Sequence, residues 1–359
     1  MSFLTFHKIY FKLKHFRANW LTMIILMLSL LCYISILISP AVFWPTVFLS
    51  LAIPFIIGLN FLLLIFCLFR RSKLIVFPLL GLLAGTPFIY RTVSFNKPQT
   101  GADNLSVLSF NAKLFRKAKI YSAFSGEMIN WVVNDSSLVK CIQEYSTNNR
   151  WAELDVTGQL ELKGYHSFTF SSKMKNNEHS NGMAIFSKNE ILKGAVILED
   201  SSTANAIMYA DIKWHSQILR IYNVHFESMS LNLYHFKNPD NAYSKWRGLI
   251  SKLRHGSVNR QDEINTLIKH TQTSPYPFII CGDFNETPYG YNYHKLNSHF
   301  DNSFEQAGNG FGFTLNSVLF FLRIDHQFYG KGIVAQQFKV DRSMTISDHF
   351  PTVGYYKIN

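Results

Sequence analysis

No charged side chain occurs between Arg17 and Arg70, and that stretch constrains the chain more than any other feature. It is too long for a single membrane crossing, which takes about 20 residues. Two spans, about 20–39 and 46–69, joined near Pro40 and Pro45, account for it. A second uncharged run, Leu74 to Tyr90, is at the short limit for a third span, 74–90. A cleavable signal would need only one short apolar core. Residues 1–91 therefore read as a membrane anchor with about three transmembrane helices.

The charge distribution supports that reading. The net charge of +12 would suit a nucleic-acid-binding protein, but nine of the 35 basic residues and none of the 23 acidic ones fall in residues 1–100. The rest of the chain carries a net of only +3, which is weak support for a DNA groove. Lys8, Lys12, Lys14 and Arg17 precede the first span, and Arg70, Arg71 and Lys73 follow the second. The positive-inside rule places both clusters in the cytoplasm. A third crossing then puts everything after about residue 91 on the periplasmic or extracellular side of the cytoplasmic membrane. If 74–90 does not cross, the large domain is cytoplasmic.

Residues 92–104 are polar, carry Pro98 and Gly101, and read as a linker. From Leu105 the pattern changes to short β-branched and aromatic runs split by turns. Strands are expected at Val107–Phe110, Leu138–Ile142, Met183–Phe186, Ala206–Ile212, Ile218–Val224, Phe278–Cys281 and Pro351–Tyr356. Residues 241–273 read as helical with a break near Gly256. Many strands with few helices suggest two packed sheets with helices outside. Cys32, Cys67, Cys141 and Cys281 form no CxxC pair and no zinc spacing, so they read as buried free thiols.

Polar residues gather beside the strand ends. Asn111, Glu144, His225, Asp283 and Asn285 each follow a strand, Asp325 follows the apolar run Val318–Leu322, and Asp348-His349 precedes the last strand. The set offers oxygen ligands for a hard cation and no thiolate. A metal beside a phosphate polarises the phosphoryl oxygen. A histidine held by a carboxylate can deprotonate a water.

These motifs resemble the endonuclease/exonuclease/phosphatase superfamily, which includes deoxyribonuclease I, exonuclease III, neutral sphingomyelinases and inositol-polyphosphate 5-phosphatases. The matching segments are Leu108-Ser109-Phe110-Asn111, Ile142-Gln143-Glu144, Asn223-Val224-His225, Gly282-Asp283-Phe284-Asn285-Glu286-Thr287-Pro288, Gly312-Phe313-Thr314, Arg323-Ile324-Asp325-His326 and Ser347-Asp348-His349. They follow the family's order across about 105–356. The resemblance implies a four-layer α/β sandwich, two packed mixed β-sheets flanked by helices, over 105–359. It implies Mg2+, with Mn2+ as the alternative, held by Glu144 with Asn111 and Asp348. It makes His349 the general base oriented by Asp325. Asp283 and Asn285 would position the nucleophile, bind the phosphate or help hold a metal, and His225 would donate to the phosphate. Thr314 and Arg323 are weaker matches to substrate-binding positions, and His326 reads as a neighbour. Lys113 stands where abasic-site endonucleases usually carry Asp or Asn, and His225 where they carry tyrosine. Both departures count against that activity.

The expected function is a membrane-anchored phosphoesterase acting on a lipid headgroup or small phosphodiester. A nuclease for extracytoplasmic DNA is the first alternative, and a catalytically silent tethered binding domain the second. No protein partner is evident. Residues 234–260 hold Lys237, Lys245, Arg247, Lys252, Arg254 and Arg260 against Asp240, with Tyr234, Phe236, Tyr243 and Trp246 interleaved. A solvated helical face is the preferred reading there, ahead of a flap for anionic lipid or polyanion.

Overall fold

The computed structural model describes residues 20–99, 101, 104–117, 120–171, 182–199, 205–228, 242–317 and 321–359. The basic cluster Lys8 to Arg17 and the positions Tyr234, Phe236, Lys237 and Asp240 lie outside these. The chain forms two compact units, Met1–Arg91 with Tyr289–His294, and Thr92–Pro288 with Lys295–Asn359.

The first unit contains α1 (Trp20–Leu37) and α2 (Thr46–Phe69), both long and apolar enough to cross a membrane. Their mean hydropathies, 2.4 and 2.7, come from continuous Leu, Ile and Phe. The helices α3 (Val76–Ala84) and α4 (Thr86–Thr92) follow. The apolar run 74–90 is therefore not one straight span, because Lys73–Ala84 and Thr86–Thr92 meet at 56°. Polar groups join these helices. Asn60 Nδ2 donates to Ser29 Oγ at 2.8 Å, and Tyr33 Oη donates to the Gly81 carbonyl at 3.1 Å. A Cβ on Gly81 would lie 2.4 Å from Asn60 Oδ1, so the small residue permits the approach, as in packed membrane helices.

The second unit opens with β1 (Val93–Phe95), so part of the expected linker is a strand; it pairs with Asn309–Phe311. In chain order the elements are then β2 (Leu105–Asn111), β3 (Arg116–Lys117), β4 (Ile120–Phe124), α5 (Gly126–Asn134), β5 (Val139–Tyr145), α6 (Val156–Leu162), β6 (His166–Ser171), β7 (Gly182–Ser187), β8 (Ile191–Glu199), β9 (Ala206–Trp214) and β10 (Gln217–His225). After these come α7 (Ala242–Gln272), β11 (Phe278–Asp283), α8 (Tyr291–Asn297), β12 (Asp301–Asn302), α9 (Ser303–Ala307), β13 (Asn309–Phe311), β14 (Asp325–Tyr329), β15 (Ile333–Val340) and β16 (Thr352–Ile358).

Two six-stranded mixed sheets result, ordered β15-β16-β2-β5-β7-β6 and β12-β14-β11-β10-β9-β8. The strand period of two explains how they pack. In β2, Leu105 and Val107 face inward with Val139, Cys141, Met183 and Ile185, against Met208, Ala210, Ile221, Ile279 and Cys281 of the other sheet. Leu108 and Phe110 point the opposite way, onto Met128, Ile129 and Val132 of α5 and Leu160 of α6. A strand buried on both faces reads as a continuous apolar run, which is why β2, β5 and β11 stand out in the sequence. Each fully buried Leu or Ile contributes about 1.5–3 kcal/mol relative to exposure. On the outer face of the second sheet, Tyr222 Oη lies 2.9 Å from His270 Nδ1 of α7. Helix, sheet, sheet and helix make the four-layer sandwich.

α7 runs unbroken through Gly256. A Cβ there would lie 2.9 Å from the Ser228 carbonyl oxygen, so this glycine admits a passing backbone rather than ending the helix. Arg247, Lys252 and Arg254 are exposed on α7, whereas Arg260 is buried. All four cysteines are buried and free.

Candidate active site

Strand register assembles the site at one edge of the sandwich. In the second sheet His225 ends β10, Asp283 ends the parallel β11, and Asp325 begins the antiparallel β14. The Cα pairs are His225↔Asp283 and Asp283↔Asp325. Three functional side chains thus occupy one row across three strands. In the first sheet Asn111 ends β2 opposite Gln143 of β5, with Glu144 next. A bulge after Ile142 and a positive φ of 44° at Glu144 turn that carboxylate out of the strand's regular alternation. Ser347 ties the last loop to this edge, its Oγ donating to the Asn111 carbonyl at 2.9 Å and accepting from His349 N at 3.2 Å.

Asp283 is the hub. Its Oδ2 accepts from Asn111 Nδ2 at 3.0 Å and lies 3.7 Å from both His225 Nε2 and His349 Nε2. Its Oδ1 accepts from Asn285 N at 2.9 Å. Asn111 Nδ2 also reaches Glu144 Oε1 at 3.2 Å, so one amide joins two carboxylates from different sheets. Asn285, at φ 49°, donates through Nδ2 to the Phe226 carbonyl at 2.9 Å. The loop that carries it is braced from behind. Arg260 Nε donates to Glu286 Oε2 at 3.2 Å, and His326 Nε2 lies 2.8 Å from the Glu286 carbonyl.

His349 Nδ1 sits 3.0 Å from each Asp325 oxygen. Burial opposes charge on this imidazole, but the carboxylates of Asp325, Asp283 and Asp348 outweigh it and hold His349 well above the ordinary histidine range. Burial raises Asp325 against the opposing pull of His349. Burial would also raise Asp348, but His349 and Lys113 reverse the balance and lower it. The Lys113 ammonium forms an ion pair with Asp348 Oδ2. His225 Nδ1 is buried without a hydrogen-bond partner among the described residues.

Thr314 and Arg323 are placed differently from the others. Thr314 Oγ1 accepts from Ile324 N at 3.1 Å and Asp325 N at 3.2 Å, so its hydroxyl shapes the start of β14. Arg323 is buried with Nη1 on Asn302 Oδ1 at 3.0 Å and its guanidinium 4.4 Å from the Phe304 ring centre. A cavity of about 300 Å³ among Phe304, Phe311, Phe338 and Arg342 includes none of the expected site residues.

Several contributors carry no clear signal in the sequence. Asn223 and Gln143 bond across the two sheets, Nε2 of Gln143 to Oδ1 of Asn223 at 2.7 Å. Lys113 reads as a departure from a motif, and only the structure shows its carboxylate partner. Arg260 reads as one charge in a basic run. Gln143 and Asn223 fall within the motif segments Ile142-Gln143-Glu144 and Asn223-Val224-His225, but nothing in the sequence shows that they bond to each other.

The donor set suits a divalent cation. Asp283, Asp325 and His349 bring ligand atoms within 4.8 Å of one another. Glu144, partly buried, adds a carboxylate joined to this cluster through Asn111. Carboxylate oxygens predominate, as hard cations prefer.

The comparisons with known proteins agree with this architecture. The model of the Endonuclease/Exonuclease/phosphatase family matches residues 139–349. A second model, a domain of unknown function (DUF8431), matches residues 14–92. The search of curated proteins finds no match. Among solved structures, an endonuclease/exonuclease/phosphatase from Beutenbergia cavernae is similar at TM-score 0.55 and 13% identity, over 72% of each chain. A family protein from Leptotrichia buccalis gives 0.52 and 15%, over 71% of this chain and 99% of that one. The human Nocturnin catalytic domain, solved with bound sulfate, gives 0.50 and 16%, over 74% and 98%. These identities speak to the fold alone; the family match spans more than half of the chain and includes every strand end that builds the site except Asn111. With the sandwich and the clustered carboxylates and histidines already in place, that match is decisive, and the chain belongs to the endonuclease/exonuclease/phosphatase family of metal-dependent phosphoric ester hydrolases.

Proposed function

We propose that this protein is a membrane-anchored, Mg2+-dependent phosphoesterase that hydrolyses a phosphodiester or phosphate ester, with a lipid headgroup or small phosphodiester as substrate. The observation that carries the reading is the His349–Asp325 pair beside Asp283. One imidazole nitrogen lies 3.0 Å from both oxygens of a buried carboxylate, and the other points to the cleft 3.7 Å from a second carboxylate. Asp325 orients the ring, and Nε2 takes the proton of the attacking water. Asp283 and Asn285 align that water. His225, with a ring nitrogen unpartnered among the described residues, donates to a phosphate oxygen. Glu144, with Asn111 beside it, would hold the divalent cation. The cation's contribution is Lewis-acid polarisation of a phosphoryl oxygen.

The carboxylates of Asp325, Asp283 and Asp348 favour the imidazolium form of His349, so base catalysis by Nε2 should gain as the pH rises. The apolar helices α1 and α2 and the small net charge after residue 100 support a lipid or small substrate over extracytoplasmic DNA.

The test uses the full chain in detergent with Mg2+ or Mn2+. Bis-p-nitrophenyl phosphate should be hydrolysed, and His349→Ala should lower kcat by about 10²–10⁴-fold. A parallel panel of plasmid DNA, phospholipids, sphingomyelin and phosphoinositides identifies the substrate class. A folded, metal-supplied protein that hydrolyses no phosphate ester would sink the enzymatic reading. Preferential turnover of plasmid DNA would replace the lipid reading with the nuclease one.

A further inference from the structure

We propose that Lys113 takes the place of a second divalent cation: the site binds one divalent ion, and the Lys113 ammonium supplies the other positive charge to the substrate phosphate. This rests on the catalytic assignment made above for Glu144 and His349.

Three observations point to it. First, the cleft gathers the carboxylates of Glu144, Asp283, Asp325 and Asp348, enough in principle for two metals. Asp348 is nevertheless occupied by the Lys113 ammonium. The two side chains are 11% and 30% exposed, and Asp348 adjoins the proposed base His349 in the chain. A carboxylate neutralised by an ammonium is a poor ligand for a second dication, which would have to displace the lysine and sit beside its charge.

Second, the lysine is delivered by a strained backbone. Lys113, Leu114 and Phe115 have φ of 46°, 56° and 55°, three consecutive non-glycine residues in the left-handed region. Each costs about 1 kcal/mol or more. The turn is held by Lys113 N donating to Asn111 Oδ1 at 3.1 Å, Phe115 N to the Ala112 carbonyl at 2.8 Å, and the buried Phe115 ring against Tyr145. An ordinary extended exit from β2 would avoid this cost.

Third, the same turn fixes Asn111. Because its Oδ1 accepts from Lys113 N, its Nδ2 faces Glu144 and Asp283. Asn111 thereby orients the carboxylates of Glu144 and Asp283, while the Lys113 ammonium holds Asp348. A fixed ammonium in a partly buried site needs no recruitment from solvent, and it stabilises charge developing on phosphoryl or leaving-group oxygens.

The test counts Mn2+ bound to the full chain in detergent, from the free-ion electron paramagnetic resonance signal, with Mn2+ as the sole ligand. Wild type and Lys113→Arg should bind one ion per chain, and Lys113→Asp should bind two. Lys113→Met should bind at least one ion, which also reports an intact fold, while its kcat falls about 10²–10³-fold. Lys113→Arg should stay within about tenfold of wild type. Two ions in the wild type, or Lys113→Met within threefold of wild-type kcat, overturns the proposal. If instead His349→Ala keeps full activity, the general-base assignment fails, while the ion counts still judge Lys113 independently.

Discussion

At the scale of single residues, the site depends on polar groups that look from the sequence like core filling. Asn223 is fully buried between the sheets. Its Oδ1 accepts from Gln143, and its Nδ2 donates to the Ile142 and Ala184 carbonyls at 3.1 and 3.0 Å. Gln143 precedes Glu144, and Asn223 lies two residues before His225, so this bridge sets the spacing between the proposed metal ligand and the proposed phosphate donor. Asn223→Leu removes three buried hydrogen bonds, each worth about 1 kcal/mol, although Gln143 Nε2 keeps Ser109 Oγ at 3.2 Å and the Cys141 carbonyl at 3.3 Å. Unfolding of the full chain in urea should show a loss of at least about 3 kcal/mol, with activity falling further than the folded fraction does; an unchanged midpoint refutes the bridge. The Asn223-Val224-His225 motif is legible as a string, but only its histidine carries an evident chemical role. Thr314 and Arg323 show the converse. Their motif positions are legible, yet Thr314 receives backbone N–H groups and Arg323 packs on Phe304. A motif match specifies which residue recurs, not which way its side chain points.

At the scale of elements, strand direction explains both what the sequence reveals and what it hides. The runs that form β2, β5, β7, β9, β10, β11 and β16 are buried on one or both faces and so stand out as apolar. β15 mixes buried and exposed residues, whereas β8 holds the apolar run Ala195–Leu198 with none of its residues fully buried. β14 is hidden for another reason: Asp-His-Gln-Phe-Tyr holds three polar residues that are all buried, because His326 and Gln327 bond to the Glu286, Val107 and Thr352 carbonyls. Asp325 therefore looks like the end of an apolar run, whereas it begins an antiparallel strand. It reaches the same edge because β14 runs opposite to β11. A close constraint at this level is Gly282, at φ 151°, where a Cβ would stand 1.9 Å from the Val224 carbonyl oxygen. That contact lies in the parallel β10–β11 ladder that aligns His225 with Asp283. Gly282→Ala should lower Tm by at least about 10 °C, as a loss near 4 kcal/mol implies for a domain of this size, or yield insoluble protein. Wild-type Tm in a soluble variant would contradict so close a packing of the two strands.

At the scale of the whole molecule, the open variable is how many times the chain crosses the membrane, because that number decides which compartment holds the chemistry. α1 and α2 are long and apolar enough for two crossings. The third stretch is bent: twelve and seven helical residues meeting at 56° reach about 25 Å end to end at 1.5 Å per residue. The hydrocarbon core is about 30 Å thick, and a shortfall of about 5 Å costs only fractions of a kcal/mol per Å through local thinning. Arg70, Arg71 and Lys73 lie between α2 and this stretch, and retaining them in the cytoplasm favours the third crossing. We propose on this ground that residues 92–359 lie outside the cytoplasmic membrane. Proteinase K added to intact spheroplasts should then degrade the catalytic unit while a cytoplasmic marker survives. Reversing the sign of Arg70, Arg71 and Lys73 to Glu should reduce that cleavage by disfavouring the third crossing. A catalytic unit protected in wild-type spheroplasts and cut only after lysis would mean two crossings. The substrate would then have to be sought among cytoplasmic phosphate esters, with the site's chemistry unchanged.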